Sequence, residues 1–215
     1  MSNQIYAVFG LGRYGRAVAA ELVRSGAEVL AVDADQAIVN TAAAELPVCK
    51  CADVTDKEAL SRLGIANVDT VVIAMAGCLE SSVMATLLCK EAGVKTVIVK
   101  CATEMHRKIL SRVGADKVIL PESESGIRLA KNLTSAGFVD VIDLSQDVSM
   151  VELDVRAEWA GKTLPELDLR KKYSINVVAI RRGDSVSINV DPSVPLEADA
   201  RLIVIANTEK LKKLK

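Results

Sequence analysis

Histidine occurs once in this 215-residue chain, at His106, which excludes a multi-histidine metal centre. Its surroundings, Glu104-Met105-His106-Arg107, read as the exposed first turn of a helix, with no obvious acidic partner to orient an imidazole for catalysis. Long apolar runs are missing too. Stretches such as Thr70–Ala76 have strand length and are too short to span a bilayer, so work at a membrane requires a partner that spans it. The opening residues lack a basic segment followed by an apolar one, which argues against a secretory leader. Charge of one sign is absent: 27 Lys+Arg stand against 28 Asp+Glu, a net charge of −1, so there is no bulk signal for nucleic acid. Cysteine is sparse and odd in number. The five, Cys49, Cys51, Cys78, Cys89 and Cys101, all lie in the first half. Cys49 and Cys51 alternate on one predicted strand and share a face. A C-x-C without a second pair or a nearby histidine is a weak metal signal, and reduced thiols in a cytosolic protein are the expectation.

What is present begins at residue 4. An apolar strand, Ile5–Phe9, runs into Gly10-x-Gly12-x-x-Gly15; a helical pattern follows, then a second apolar strand, Val29–Val32, ending in Asp33. This is a dinucleotide-binding fingerprint in its full βαβ context. Gly10 permits the tight turn, Gly12 lets phosphate approach the backbone, and Gly15 lets helix pack on strand. The helix N-terminus offers free N–H groups and a partial positive charge to an anion. Asp33 is placed to accept hydrogen bonds from ribose hydroxyls, and its charge disfavours the 2′-phosphate of NADP. Arg13 and Arg16 flank the turn. Arg13 either forks onto terminal phosphate oxygens, which suits ATP or ADP as well as a dinucleotide, or is a solvated first-turn residue whose sign opposes the helix dipole. Asp53, in Ala52-Asp53-Val54-Thr55, either accepts from an adenine amino group or caps the next helix, and the two roles are compatible.

The first half continues this alternation. Strands are expected at Val48–Cys51, Val71–Ala74, Val97–Lys100 and Val118–Leu120, with helices at Tyr14–Ser25, Gln36–Glu45, Lys57–Leu63, Ser81–Ala92, Glu104–Val113 and Ser123–Ser135. The strands are continuous Val/Ile/Ala runs, as in a parallel sheet covered on both faces. Gly26, Gly64, Gly93 and Gly114 fall where helix C-terminal caps belong. The fold class is therefore α/β, a doubly wound Rossmann sheet over residues 1–137. From 138 to 215 shorter β-like runs dominate, at Val139–Ile142, Met150–Val155, Val177–Arg181, Val186–Ile188 and Leu202–Ile205. They are joined by one helix at Leu164–Tyr173, a hairpin turn at Arg182-Gly183-Asp184, a loop opened by Asp191-Pro192 and a basic helix at Thr208–Lys215. This second domain is expected to be small and α+β, stabilised by docking or self-association.

A catalytic apparatus is what the nucleotide pocket lacks. Tyr173 is followed four residues later by Val177, so there is no Tyr-x-x-x-Lys pair, and no Ser/His/Asp or Cys/His set is visible. The expectation is a sensor and not an enzyme. The rivals are an NAD-dependent oxidoreductase of unusual type and a sensor of the NADH/NAD ratio; a DNA-binding repressor would need a winged helix or basic arm, and none stands out.

The run GLGRYGRAVAAELVRSGAEVLAVD, then Ala52-Asp53-Val54-Thr55, Leu63-Gly64-Ile65, VVIAM, Val99-Lys100 and Gly114-Ala115-Asp116-Lys117-Val118-Ile119-Leu120-Pro121-Glu122 resemble the RCK (KTN) family. These are TrkA/KtrA-type cytosolic regulatory subunits of Trk/Ktr potassium channels and transporters. The second half resembles the family's C-terminal (TrkA-C) module at Gly161-Lys162-Thr163-Leu164, Leu167-Asp168-Leu169-Arg170 and Ile175–Gly183. The resemblance implies dimers that assemble into an octameric ring on the cytoplasmic face of a TrkH/KtrB-type membrane subunit, gating potassium flux. It implies ATP or ADP in the N-terminal pocket, and in some members NAD or NADH. By position, Gly10, Gly12, Arg13, Tyr14 and Gly15 would hold phosphates, Asp33 the ribose, and Asp53 with Thr55 the adenine. Ala74, Met75 and Ala76 would line the crevice, joined by Lys100. Glu122 matches an acid that reaches a neighbouring subunit's phosphates through Mg²⁺ or a similar cation; read on its own it is a first-turn helix acid. Some relatives bind cyclic di-AMP in the C-terminal module, and the matching positions are Leu164, Leu169, Arg170, Asn176, Val177 and Pro192. Arg170-Lys171-Lys172 reads equally as a solvated helix end.

Overall fold

In the computed structural model, which describes residues 4–75, 77–134, 138–145 and 147–207, the chain separates into two units, 1–123 and 124–215. The division falls inside a helix, earlier than the change of pattern after residue 137. That residue, Ala76 and the basic segment Thr208–Lys215 lie outside the described residues.

The first unit is built on β1 (Ile5–Phe9), β2 (Glu28–Asp33), β3 (Cys49–Cys51), β4 (Thr70–Ile73), β5 (Thr96–Lys100) and β6 (Lys117–Ile119). All neighbours are parallel, in the order β3-β2-β1-β4-β5-β6. Helices α1 (Arg13–Arg24), α2 (Gln36–Ala42), α3 (Lys57–Arg62), α4 (Leu79–Glu91), α5 (Glu104–Val113) and α6 (Pro121–Thr134) alternate with the strands. β1 shows why its sequence reads as a continuous apolar run. Ala7 and Phe9 enter one core with Leu60, Ala85 and Leu110, while Val8 enters a second core with Ala19 and Ala42. Both faces of the strand are dry, so alternation disappears. The ends are set by side chains and glycine: Asp35, Asp56 and Thr103 cap α2, α3 and α5, and the four expected cap glycines all take left-handed backbone.

Two aspartates fasten the N-terminal ends of interior strands of the sheet. Asp69, just before β4, accepts the first N–H of β1, from Ile5 at 3.1 Å, and the Lys95 ammonium at 2.7 Å. Asp116, just before β6, accepts from Val97, the second residue of β5, at 2.7 Å and from Lys90 at 3.0 Å. N–H groups at the start of a strand lie where the ladder begins, and these carboxylates supply them with acceptors.

The second unit contains an antiparallel sheet of β7 (Phe138–Asp143), β8 (Val148–Asp154), β9 (Ile175–Arg182), β10 (Ser185–Ser187) and β11 (Arg201–Asn207), in the order β10-β9-β11-β8-β7. Val151, Leu153, Leu202 and Val204 point to one face, where Trp159, Leu167 and Leu169 complete the core. The single helix expected at Leu164–Tyr173 is two short ones, α7 (Leu164–Leu167) and α8 (Leu169–Tyr173), broken at Asp168, whose φ is +45°. The reason is packing. Leu167 and Leu169 are both buried, and residues two apart face opposite sides of a continuous helix, so a left-handed residue between them is needed to turn both inward. Among the described residues no helix is long and apolar enough to cross a membrane.

Candidate functional site

The glycine turn lies at the C-terminal ends of β1 and β4, where strand order reverses direction and an open α/β sheet leaves a crevice. Gly10 continues β1 into the turn with φ +85°, and its N–H donates to the Val32 carbonyl at 2.8 Å. A Cβ there would come 2.8 Å from Met75 Cγ. At Gly15 the demand is steric: a Cβ would sit 1.9 Å from the Gly10 carbonyl oxygen and 3.1 Å from the Ala74 Cβ. The small Ala74 and the bare Gly15 let α1 start directly on the turn. Gly12 differs. Its φ is −63° and a Cβ would meet nothing within 4 Å, so the protein's own packing does not require glycine there. Bare backbone facing open space at a helix N-terminus is the form of a phosphate cradle. Gly12 offers no side-chain cap, and no acid stands in the first turn of α1, so the first N–H groups are left for an incoming anion.

On the β2–β3 side an open crevice of about 280 Å³ is lined by Gly10, Asp33, Ala34, Asp53, Thr55 and Met75, with Ser81 at its edge. Asp33 is already part of the turn. Its Oδ2 accepts from Leu11 N at 2.7 Å and its Oδ1 from Asp35 N at 2.9 Å. A carboxylate oxygen accepts more than one donor, so ribose hydroxyls remain within its capacity. Asp53 Oδ1 accepts from the Thr55 hydroxyl at 2.7 Å and the Thr55 N–H at 2.8 Å, and these bonds hold its carboxyl below the usual range. Asp53 does not cap α3; Asp56 does, accepting from Glu58 N. Asp53 closes its own local turn instead, because α3 starts at Lys57 and the residue directly before it is Asp56. Ser81 is a lining residue that the motif does not disclose. Its only sequence signal is its place in the first turn of the helix after β4. Its hydroxyl donates to Cys78 Sγ at 3.2 Å, which draws that thiol below its ordinary value.

On the β4–β5 side a second group assembles. Lys100, the last residue of β5, sends its ammonium to Glu122 Oε1 at 2.6 Å and places it 5.2 Å from the centre of the Tyr14 ring. Glu122, in the first turn of α6, is held below the usual carboxylate range chiefly by Lys100, with a contribution from the Arg13 charge. Arg13 itself lines a shallow recess outside the turn with Arg16 and Glu45. Thus Gly10, Gly12, Arg13, Tyr14, Gly15, Asp33, Asp53, Thr55, Ala74, Met75, Lys100 and Glu122 converge on one end of one sheet; Ala76 is outside the described residues.

The positions matched to cyclic di-AMP divide by burial. Leu169 lies in the core of the second unit and Leu164 and Val177 pack against it, whereas Arg170, Asn176 and Pro192 are exposed. No group of three or more His, Cys, Asp or Glu side chains gathers for a metal among the described residues. Cys49 and Cys51 instead donate to the carbonyls of Leu46 and Ala34, and burial pushes the Cys89 thiol up to about 12.

The family model described as the TrkA-N domain matches residues 6–121, and that of the TrkA-C domain matches residues 148–215. The chain is 38% identical over 202 residues to Ktr system potassium uptake protein C of Bacillus subtilis (strain 168), covering 94% of this chain and 91% of that protein. It is 37% identical over 206 residues to Ktr system potassium uptake protein A of Vibrio alginolyticus, covering 96% of this chain and 94% of that one. A crystal structure of the GsuK RCK domain superposes with a TM-score of 0.55 at 25% identity; this chain is covered in full and spans 46% of that one.

Proposed function

The chain belongs to the family defined by the TrkA-N and TrkA-C domains, and from that premise we propose that it is the cytosolic, regulatory subunit of a potassium uptake system, peripheral to the membrane. Its Rossmann crevice takes an adenine nucleotide, ATP or ADP with NAD or NADH as the competing pair, and no bond is made or broken there. The observation that carries this reading is the Gly12 cradle with Asp33 and Asp53 beside it, on a chain that aligns nearly end to end with proteins of potassium uptake systems.

Each part of the crevice has a separate task. The N–H groups after Gly12 hold phosphate, Asp33 holds the ribose and Asp53 with Thr55 the base. Arg13 engages the terminal phosphate, and a partner subunit's Glu122 approaches the same group through a cation such as Mg²⁺, whose chemistry is to screen carboxylate from phosphate. With a diphosphate that last contact is missing. Differential affinity of the ligands for two ring shapes then does the work on the membrane partner, at about 1–3 kcal/mol per site. The assembly is a homodimer that closes into an octameric ring against a membrane-spanning potassium-translocating subunit. The second unit offers the exposed Arg170 and Asn176, with Leu164 and Val177 partly buried against its core, for a second ligand of the cyclic di-AMP type.

Calorimetric titration with ATP, ADP, NAD, NADH and cyclic di-AMP tests the reading. Arg13→Ala is expected to lose ATP affinity about tenfold or more while keeping NAD. Unchanged ATP binding in that variant removes Arg13 from the mechanism, and turnover of NADH with any substrate overturns the non-enzymatic reading.

A further inference from the structure

Lys100 is an enclosed cation at the site: its side chain is 13% exposed, against 71% for Glu122. An enclosed ammonium requires an anion, and Glu122 supplies it at 2.6 Å. The same ammonium lies over Tyr14, the second residue of α1, so it stands beside the first turn that presents N–H groups to phosphate. Glu122 therefore occupies cationic surroundings that an incoming phosphate also needs: Lys100 directly and Arg13 at longer range.

We propose that Glu122 is a built-in competitor for phosphate: it holds Lys100 when the crevice is empty, and phosphate entry transfers Lys100 to the ligand and releases Glu122. The release is the useful product. A freed carboxylate in the first turn of α6 becomes available to a partner subunit only when ligand is bound, which makes occupancy and assembly geometry one event. An ion pair with one exposed member suits this role, since it costs little to exchange. This inference rests on the nucleotide reading given above and deepens it.

The test is ADP binding by calorimetry in the presence of a chelator, which removes any cation bridge, with adenosine as the phosphate-free control. Glu122→Gln is expected to bind ADP about two- to fivefold more tightly, the range for losing one exposed ion-pair competitor, with adenosine affinity unchanged. Lys100→Met is expected to bind ADP more weakly, and Lys100→Arg to restore it. In the Lys100→Met background, adding Glu122→Gln is expected to give no gain. A gain that persists there comes from charge repulsion alone and overturns the exchange, as does weaker or equal ADP binding by Glu122→Gln. A parallel gain for adenosine also overturns it. If the unaltered protein binds neither ADP nor adenosine, the nucleotide reading fails and this proposal with it. Thermal melts of each variant confirm that the comparison is between folded proteins.

Discussion

Three glycines share one turn and do three different things. A methyl group on Gly15 would lie 1.9 Å from the Gly10 carbonyl oxygen, so Gly15→Ala must push α1 off the turn. The expected cost is about 1–3 kcal/mol, read as a lower melting temperature together with lost nucleotide binding. Gly12→Ala is the instructive contrast. Nothing lies within 4 Å of its Cβ, so stability is expected to fall by no more than about 1 kcal/mol, the ordinary price of alanine at an N-cap, while ADP affinity falls at least about tenfold. Equal losses of stability in the two variants would show that Gly12 is structural and that the cradle is not a binding surface. Gly10 answers to backbone conformation, since φ +85° is one that side chains rarely adopt. The G-x-G-x-x-G pattern names all three residues but does not separate their reasons. The distances tie Gly15 to the fold and leave Gly12 open to the proposed ligand.

Among elements, the N-terminal end of the sheet strands, away from the crevice, carries a pH dependence. Lys95, then the Ile5 N–H, hold the Asp69 carboxyl below its ordinary value of 3.8. The folded-state pKa lies below that of the unfolded chain, so the carboxylate stabilises the fold at neutral pH. That contribution is lost as pH falls through the folded-state value. Asp69→Asn is therefore expected to melt lower than the unaltered protein at about pH 7, with the gap narrowing on acidification toward about pH 3. A gap that stays constant with pH would mean that the charge on Asp69 does not contribute. Element types and most boundaries were legible in the sequence, because buried parallel strands and glycine-ended helices leave strong local patterns. The helix expected at Leu164–Tyr173 divides in two for a non-local reason. Its break at Asp168 is imposed by the need to bury Leu167 and Leu169 together, and neither residue signals that alone.

For the molecule as a whole, the reading is that binding and not chemistry transmits the signal. A ligand that binds only the folded chain stabilises it by mass action. ADP at about one hundred times its dissociation constant is expected to add about 2.7 kcal/mol, read as a rise in melting temperature. Arg13→Ala should leave the ADP-induced rise largely intact and diminish the ATP-induced one. A melting temperature indifferent to every adenine nucleotide would remove the sensor from the system. The two units enter this scheme differently. The first holds the crevice with its glycine turn, and the second carries the exposed Arg170 and Asn176.

The order of elements, the parallel sheet, the glycine turn and the acids at the ends of β2 and β3 were all determined by the sequence itself. Each rests on local chemistry: period, turn conformation and the residue at a strand end. Four matters were decided only by tertiary structure. Asp33 braces the turn through Leu11, Asp56 and not Asp53 caps α3, Ser81 joins the crevice, and Lys100 closes on Glu122. Each is a contact between segments far apart in the chain, or a choice between two nearby carboxylates, and such contacts exist only once the sheet has set the distances.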